Sequence, residues 1–485
     1  MTVPLVFAGF DLGTSGLKAA LVDDDGGMLA TAQASYRSTR PRGGRAEQDP
    51  ADWIAALAEV VELLAREVPS GRWARAGLSG MIPTLVTEDA DGEPIGPAIT
   101  WEDDRAEEEG VAFREDAGAE ALYRETGQWV DGRYLQPMMR WIERHEPDRA
   151  TRTSRILSAK DHVYRWLTGD VATDPSTATG FGCYALATGS WNEGLAGRWF
   201  AKLPEVRPSS SAAPLSPAAA GAIGMTPGMP VVLGAADSVC GALGLGCVAA
   251  GDRASLWGTS TVILGVSDEL AFDPGHRYLV TPLAHGDRWG LEMDLVSTGS
   301  AIAWAAWLLG LAGEAKVFEL AERSSPGAAG LTFLPFLGFG EQGALWDPSL
   351  RGTMLGLTLL HGREDVARAL LEGIAREFRR CVDVLADSGI ARGSIRSGGG
   401  ASESATFAQM LADASQVPVA RPSVGRWASA VGAALLAASS AGAVDLDSAP
   451  SGGGDVVQPD GDARSVWEAL AARHDAAIAA FRARG

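Results

Sequence analysis

The sequence is short of positive charge. Across 485 residues, 41 basic side chains stand against 61 acidic ones, a formal net charge of −20, with a pI near 4.8. Nucleic acids and anionic membrane surfaces are held by basic faces, so this balance excludes both as partners. Lysine is scarcer still, found only at Lys18, Lys160, Lys202 and Lys316. With the abundant Ala and Gly, this reads as a coding bias and carries no functional weight. The four cysteines (Cys183, Cys240, Cys247 and Cys381) form no CxxC pair and have no histidine-rich spacing beside them. That argues against a disulfide framework or structural zinc and for reduced thiols in a cytosol. Long apolar runs are missing: residues 301–313 and 430–444 fall short of the roughly 20 needed to span a bilayer. The opening Met1-Thr-Val-Pro-Leu-Val-Phe has no cationic region, and Asp11 soon interrupts its apolar character, so no signal peptide is expected. GxxxxGK[ST] is absent too, which excludes a P-loop. A soluble, cytoplasmic protein is expected.

What remains is ordinary for a folded chain, with 46% hydrophobic and 21% charged residues. At roughly 150 residues per domain, the length allows two to four domains. Residues 5–10 read as a buried strand, Asp11-Leu-Gly-Thr-Ser-Gly16 as a glycine-rich turn, and residues 17–22 as the returning strand. A third strand at residues 28–32 completes a meander. A helix follows over residues 50–68, with Asp49 placed to cap it. Alternating strands and helices then continue to about Gly244, a mixed α/β pattern. Residues 208–224, rich in Ser, Ala and Pro, read as a surface connection. The second half repeats the opening: strand-like residues 253–257, the turn Gly258-Thr-Ser-Thr261, and another strand. A glycine cluster, Ser397-Gly-Gly-Gly-Ala401, precedes a helical stretch at 404–415, and an amphipathic helix closes the chain at 463–482. The expected division is a first domain over 1–244, a second over 245–450, and a linker and helix over 451–485.

Several segments carry candidate chemistry. A turn of Gly, Thr and Ser between strands exposes backbone N–H groups and hydroxyls with no bulk in front, as phosphate oxygens require. Asp11 beside the first turn would repel a triphosphate unless a hard cation lay between them, Mg²⁺ being the natural choice. Either turn alone is equally an ordinary hairpin; two copies favour nucleotide binding. The run Gly398, Gly399, Gly400 and Ala401 lets backbone approach a flat ligand such as adenosine, or is simply a tight strand–helix turn. Asp237 ends an apolar strand and begins a helix of small residues. It reads either as the helix N-cap or as a base accepting a hydroxyl proton during phosphoryl transfer. Trp101-Glu-Asp-Asp-Arg105 suits a polyol, or is a solvated helix start. The GxG at Gly244–Gly246 lies in a helix-like stretch and fits close packing better than dinucleotide binding.

Taken together, these segments resemble the FGGY carbohydrate kinases, and most closely their xylulokinase-like branch. The matching motifs are Asp11-Leu-Gly-Thr-Ser-Gly16 with Lys18; Glu47-Gln-Asp-Pro50 with Trp53; Trp101-Glu-Asp-Asp-Arg105; Lys160-Asp161; and Gly234-Ala-Ala-Asp237. They continue through Gly258-Thr-Ser260, Phe333-Leu-Pro-Phe336, Gly398-Gly-Gly-Ala401 and Gln409-Met-Leu-Ala-Asp413. The resemblance implies an α/β, actin-like ATPase fold with two ribonuclease-H-like domains around a central cleft. It implies an ATP- and Mg²⁺-dependent kinase of a small sugar or polyol, D-xylulose first among the candidates, with ribulose, gluconate and erythritol behind it. It makes Asp237 the base and places Asp11, with Asp237, near the metal. It gives Gly13, Thr14, Ser15 and Lys18, with Gly258, Thr259 and Ser260, to the ATP phosphates, and residues 398–401 to adenosine. Met81, Ile82, Trp101, Asp103, Asp237 and Ser238 fall on the sugar side. A homodimer is left open.

The sugar side departs from the xylulokinase pattern. Gly80-Met-Ile-Pro-Thr84 stands where that branch carries Gly-Gln-Met-His-Gly, so Pro83 replaces a hydrogen-bonding His, and Ser238 replaces an Asn or Gln. A buried hydroxyl without its partner costs roughly 1–3 kcal/mol, enough to change the preferred sugar. The competing class, a chaperone-like or filament-forming ATPase of the same fold, would share the phosphate turns without needing a sugar pocket or a base.

Overall fold

The computed structural model describes residues 5–41, 44–338, 343–347, 349–448 and 453–482. The chain folds as two compact units. The first comprises Met1–Val248, Val280–Gly290 and Trp427–Ser451, and the second Ala249–Leu279, Leu291–Arg426 and Gly452–Gly485. The expected boundaries are corrected in two places. The first long stretch runs to Val248, and the segment from Trp427 returns to the first unit. The C-terminal segment, expected as an appendage, is built into the second.

In the first unit, β1 (Val6–Leu12), β2 (Gly16–Asp23), β3 (Met28–Ser35), β4 (Trp73–Gly80), β5 (Ala212–Pro214) and β6 (Pro230–Ala236) form a sheet. Their order is β5-β6-β4-β1-β2-β3. The first three strands are the expected antiparallel meander, while β4 runs parallel to β1, and β6 parallel to β4. β1 is buried at every position because it lies mid-sheet with both faces covered. On one face lies the helix Pro50–Glu67, capped as expected by Asp49, whose Oδ1 accepts from Ala51 N at 2.9 Å. Its Trp53, Leu57, Val60, Val61 and Leu64, at helical spacing, join Val6, Ala8 and Phe10 in one core.

The opposite face is covered by the helix Ala428–Ser440, and here the contact is backbone on backbone. A Cβ on Gly9 would stand 1.9 Å from Ala430 O, and one on Gly77 would stand 2.1 Å from Ala433 O. The same helix meets the helix Asp237–Gly244 just as closely, since a Cβ on Gly432 would stand 1.8 Å from Cys240 O and one on Gly244 1.9 Å from Ala428 O. Gly244 is thus a packing residue, as expected. The supposed surface connection at 208–224 instead supplies β5 and the helix Pro217–Ile223, whose Ala219, Ala220 and Ile223 enter the core. Its small and Pro residues were turn signals only when read without that neighbour.

The second unit repeats the plan. β7 (Arg253–Trp257), β8 (Thr261–Ser267), β9 (Trp289–Leu295), β10 (Ile395–Gly399), β11 (Val419–Pro422) and β12 (Gly454–Val457) lie in the order β9-β8-β7-β10-β11-β12. β7 and β8 are antiparallel, β10 and β11 follow parallel to β7, and β12 is an antiparallel edge. Two such units are the ribonuclease-H-like pair of the actin-like fold. The last helix, Arg464–Arg482, buries Trp467, Leu470, His474, Ala477 and Ile478, and Ala477 and Ile478 pack with Leu334 and Phe336.

The tight seam gives a stability prediction. On an exposed helix Gly→Ala stabilises by about 1 kcal/mol, whereas overpacking a core costs about 1–3 kcal/mol. Gly432→Ala is therefore expected to lower Tm, measured by differential scanning calorimetry, by roughly 2 °C or more.

Candidate active site

Three strands of the first sheet end side by side. Asp11 on β1 lies opposite Ser79 on β4 and Lys18 on β2, and Ala236, at the end of β6, pairs with Gly80 on β4. The carboxyl ends of parallel strands therefore gather Asp11, Ser79, Met81 and Asp237 at one edge, where α/β sheets collect ligands. Asp11 is buried, and its Oδ1 accepts from Ser79 Oγ at 2.8 Å. Burial raises its pKa above the ordinary carboxylate value, while the Lys18 charge and the Ser79 hydrogen bond pull it back in part.

The turn after Asp11 is clamped from several sides. Gly13 N donates to Gly16 O at 3.1 Å, closing the hairpin. The Tyr36 hydroxyl donates to Gly13 O. Gln48 Nε2 donates to Thr14 O at 2.7 Å, and Gln48 Oε1 in turn accepts from Trp53 Nε1 at 2.8 Å. Trp101 Nε1 donates to Thr14 Oγ1 at 3.0 Å. Trp101 therefore reaches the first turn with its indole N–H, a contact not foreseen from its sequence context. Gln48 and Trp53 had no role read from sequence beyond their place in a matched motif; the hydrogen-bond chain supplies one.

Asp237 corrects one reading. The N-cap of its helix is Ala236, and Asp237 is the first helical residue. Ala236 supplies no capping side chain, and Asp237, inside the first turn, accepts the adjacent Ser238 N–H on its Oδ1 at 2.9 Å. Tyr36 feels the charge of both carboxylates. Its hydroxyl titrates well above the ordinary tyrosine value because it is buried and the charges of Asp11 and Asp237 both act on it. Asp11, Tyr36, Asp237 and the first turn thus form one electrostatic neighbourhood, and no sequence signal had marked Tyr36 or Ser79.

The other residues expected on the sugar side divide, and two threonines not expected there, Thr84 and Thr177, share a feature with one of them. Met81 is buried, its N–H donating to Leu12 O at 2.9 Å, and the Ile82–Pro83 peptide beside it is cis. Ser238, Thr84 and Thr177 each carry a buried hydroxyl without a hydrogen-bond partner among the described residues. Asp103 differs: it accepts from Ala46 N at 2.6 Å and from Arg105 N, Nε and Nη2 at 3.0, 2.7 and 2.7 Å. Arg105 also reaches Glu47 Oε1 at 2.6 Å and lies 5.1 Å from the Trp141 ring centroid. Four donors thus satisfy the two oxygens of Asp103.

In the second unit the other two candidate segments converge. Gly258 N donates to Ser260 O at 2.8 Å, and Thr259 O accepts from Ser300 N at 3.1 Å. Thr261 Oγ1 and Thr298 Oγ1 lie 2.7 Å apart. A Cβ on Gly299 would stand 2.1 Å from Gly258 O, so the turn sits on the first residue of the helix Gly299–Leu308. Gly399, with φ of 96°, pairs with Trp257 immediately before the turn, and Gly400 N donates to Trp257 O at 3.0 Å. The space where a Gly400 side chain would stand is open. Residues 258–260 and 398–401 therefore share one strand-end edge.

The chain matches the N-terminal domain of the FGGY family of carbohydrate kinases over residues 6–244, and the C-terminal domain of that family over residues 254–441. The chain belongs to the FGGY family of carbohydrate kinases. It is 30% identical to the xylulose kinase of Escherichia coli (strain K12) over 436 residues, 89% of each chain. It is 27% identical to the gluconokinase of Bacillus licheniformis over 455 residues, 90% of this chain and 88% of the other. The crystal structure of xylulose kinase from Rhodospirillum rubrum superposes with a TM-score of 0.85 at 30% identity, covering 98% of this chain and 99% of that one. No helix among the described residues is long and apolar enough to cross a membrane.

The raised pKa of Asp11 predicts a trade between stability and function. The folded protein holds this proton more tightly than the unfolded chain, so stability from the group is present below the ordinary carboxylate pKa. It is lost as pH rises through the higher folded value. Asp11→Asn is accordingly expected to raise Tm at pH 7, with the gain shrinking as pH falls below that value in a pH series of melts.

Proposed function

We propose that this carbohydrate kinase transfers the γ-phosphoryl group of ATP to a hydroxyl of a small neutral sugar or polyol, with D-xylulose the first candidate. The observation that carries the reading is Asp237, held at the carboxyl end of β6 in the same electrostatic neighbourhood as Asp11 and the first turn. In this reading the Asp237 carboxylate takes the proton of the attacking hydroxyl as that oxygen approaches phosphorus. Backbone N–H groups and hydroxyls of Gly13, Thr14 and Ser15 in the first unit, and of Gly258, Thr259 and Ser260 in the second, bind phosphate oxygens, with Lys18 near the first set. Residues 398–401 take the adenosine, the open side of Gly400 leaving room for a flat base.

Mg²⁺ bound with ATP supplies charge neutralisation on the phosphates. The residues suit such an ion, since Mg²⁺ keeps several waters and takes one or two carboxylates rather than a protein cage. Asp11 and Asp237 would offer two. The buried carboxyl of Asp11, whose hydrogen-bond donor is the neutral Ser79 hydroxyl, is the kind of group a nearby cation would relieve.

The unpartnered hydroxyls of Ser238, Thr84 and Thr177 support a polyol ligand, because each is a buried group awaiting a partner. Met81, Ile82 and Pro83 add an apolar wall where a His donor is missing. The likeness to both a xylulose kinase and a gluconokinase leaves a second acceptor, an aldonate, as the alternative.

Two measurements test this. ADP release across D-xylulose, ribulose, gluconate, erythritol and glycerol is expected to depend on one of them, and sugar-independent hydrolysis would count against the reading. Asp237→Asn is expected to keep nucleotide binding while lowering kcat by about 10²–10⁴-fold, the range of general-base catalysis.

A further inference from the structure

β6 does not run straight to Asp237. Its register against β4 shifts between Val232 and Ala235. The shift falls at Gly234, whose φ is 75° and where a Cβ would stand 1.6 Å from Leu78 O. Such bulges re-aim a strand and are found beside active sites. This one is gripped on both sides. Before it, Leu233 O accepts from Lys160 Nζ at 3.2 Å. After it, Ala236 N donates to Ser176 Oγ at 2.9 Å.

The two grips share one carboxylate. Lys160, wholly buried, lies 3.1 Å from Asp174 Oδ1 and 3.0 Å from Asp161 Oδ1. Asp174 Oδ2 accepts from the same Ser176 hydroxyl that receives Ala236 N–H. The lysine stem lies under the end of β4, where a Cβ on Gly80 would stand 2.9 Å from Lys160 Cβ. We propose that Lys160, Asp174 and Ser176 are positioning residues that lock the bulge of β6 and so aim Asp237. The proposal rests on the reading of Asp237 as the base.

Asp174 and Asp161 also cap the helices Pro175–Thr179 and Ala159–Thr168, but capping alone does not call for a lysine buried between them. Burying a lysine and two aspartates costs several kcal/mol per ion unless all are paired, and apolar residues of similar volume usually hold a core as well or better. The cluster does what apolar residues cannot: it fixes two particular backbone groups, Leu233 O directly through Lys160 and Ala236 N through the Ser176 hydroxyl that Asp174 holds. Those two flank the bulge immediately before the proposed base.

Ser176→Ala removes the link to Ala236 N while leaving the three charges paired. We expect kcat to fall roughly ten- to hundredfold, as for a reacting group displaced by up to 1 Å. KM for sugar and for ATP should stay within about twofold, since binding is untouched. Ser176→Thr, which keeps a hydroxyl, should recover most of the rate. In an Asp237→Asn background the additional Ser176→Ala change should leave the residual rate unaltered, because the group being aimed is gone. A folded Ser176→Ala protein with wild-type kcat overturns the proposal, as does an equal loss of rate in the Asp237→Asn background. If the alanine variant does not fold, Ser176→Cys, which keeps a weak acceptor, should give an intermediate kcat; a wild-type rate there also overturns it. Full turnover by Asp237→Asn alone would instead defeat the reading of Asp237, a different result from an inert Asp237→Asn paired with an unaffected Ser176→Ala.

Discussion

The first unit depends on how closely its sheet can be approached. The helix Ala428–Ser440 lies so near β1 and β4 that Gly9 and Gly77 have no space for a methyl group, and Gly432 and Gly244 close its contact with the helix after Asp237 in the same way. The strands beneath carry Asp11 and Ser79, and the neighbouring β6 leads into Asp237. Packing at backbone distance leaves few alternative positions for these elements, so side chains at the strand ends inherit the rigidity of the seam. A methyl group at Gly9 or Gly77 would force the helix off the sheet, and one at Gly432 or Gly244 would force the two helices apart.

Charge inside the unit is handled by pairing rather than by avoidance. Lys160 lies between Asp161 and Asp174, and Asp103 is saturated by Arg105 and a backbone N–H. Asp11 differs in that its hydrogen-bond donor is a neutral hydroxyl; burial raises its pKa, as it does that of Asp161. A carboxylate left in that state is a standing cost to stability, which is common where a site is built for a ligand instead of for the fold. The net charge of −20 bears on this too. An anionic nucleotide cannot be held by the overall field of such a protein, and any positive potential must come locally from N–H groups, hydroxyls and a cation.

Much of this was legible before the structure. The meander, the helix capped by Asp49, the doubled Gly-Thr-Ser turn and the glycine cluster all follow from short-range rules: apolar runs, turn residues and helical spacing. The return of residues 427–448 to the first unit was not legible, because an Ala- and Gly-rich helix shows no preferred face until its neighbour is known. Nor was the edge strand and helix within 208–224, where Ser and Pro signalled turns. Asp237 was read as either cap or base; the helix begins at Asp237 itself, one residue earlier than a cap there would require. Tyr36, Ser79 and Ser176 gave no signal at all, since a lone hydroxyl in a strand or short helix resembles any other.

By itself, the sequence determined the family, the α/β class and the repeated plan, and it marked the candidate groups for phosphoryl-transfer chemistry. These are properties of residue type and local order, and they survive in a string. The tertiary structure alone decided which of those groups share an environment: Asp11 with Asp237 around Tyr36, Trp101 with Thr14, Asp103 with Arg105, and Lys160 with the bulge of β6. Such pairings join residues tens to hundreds of positions apart. Hydrogen bonds and burial are set by distances of a few ångströms, which spacing along the chain does not encode.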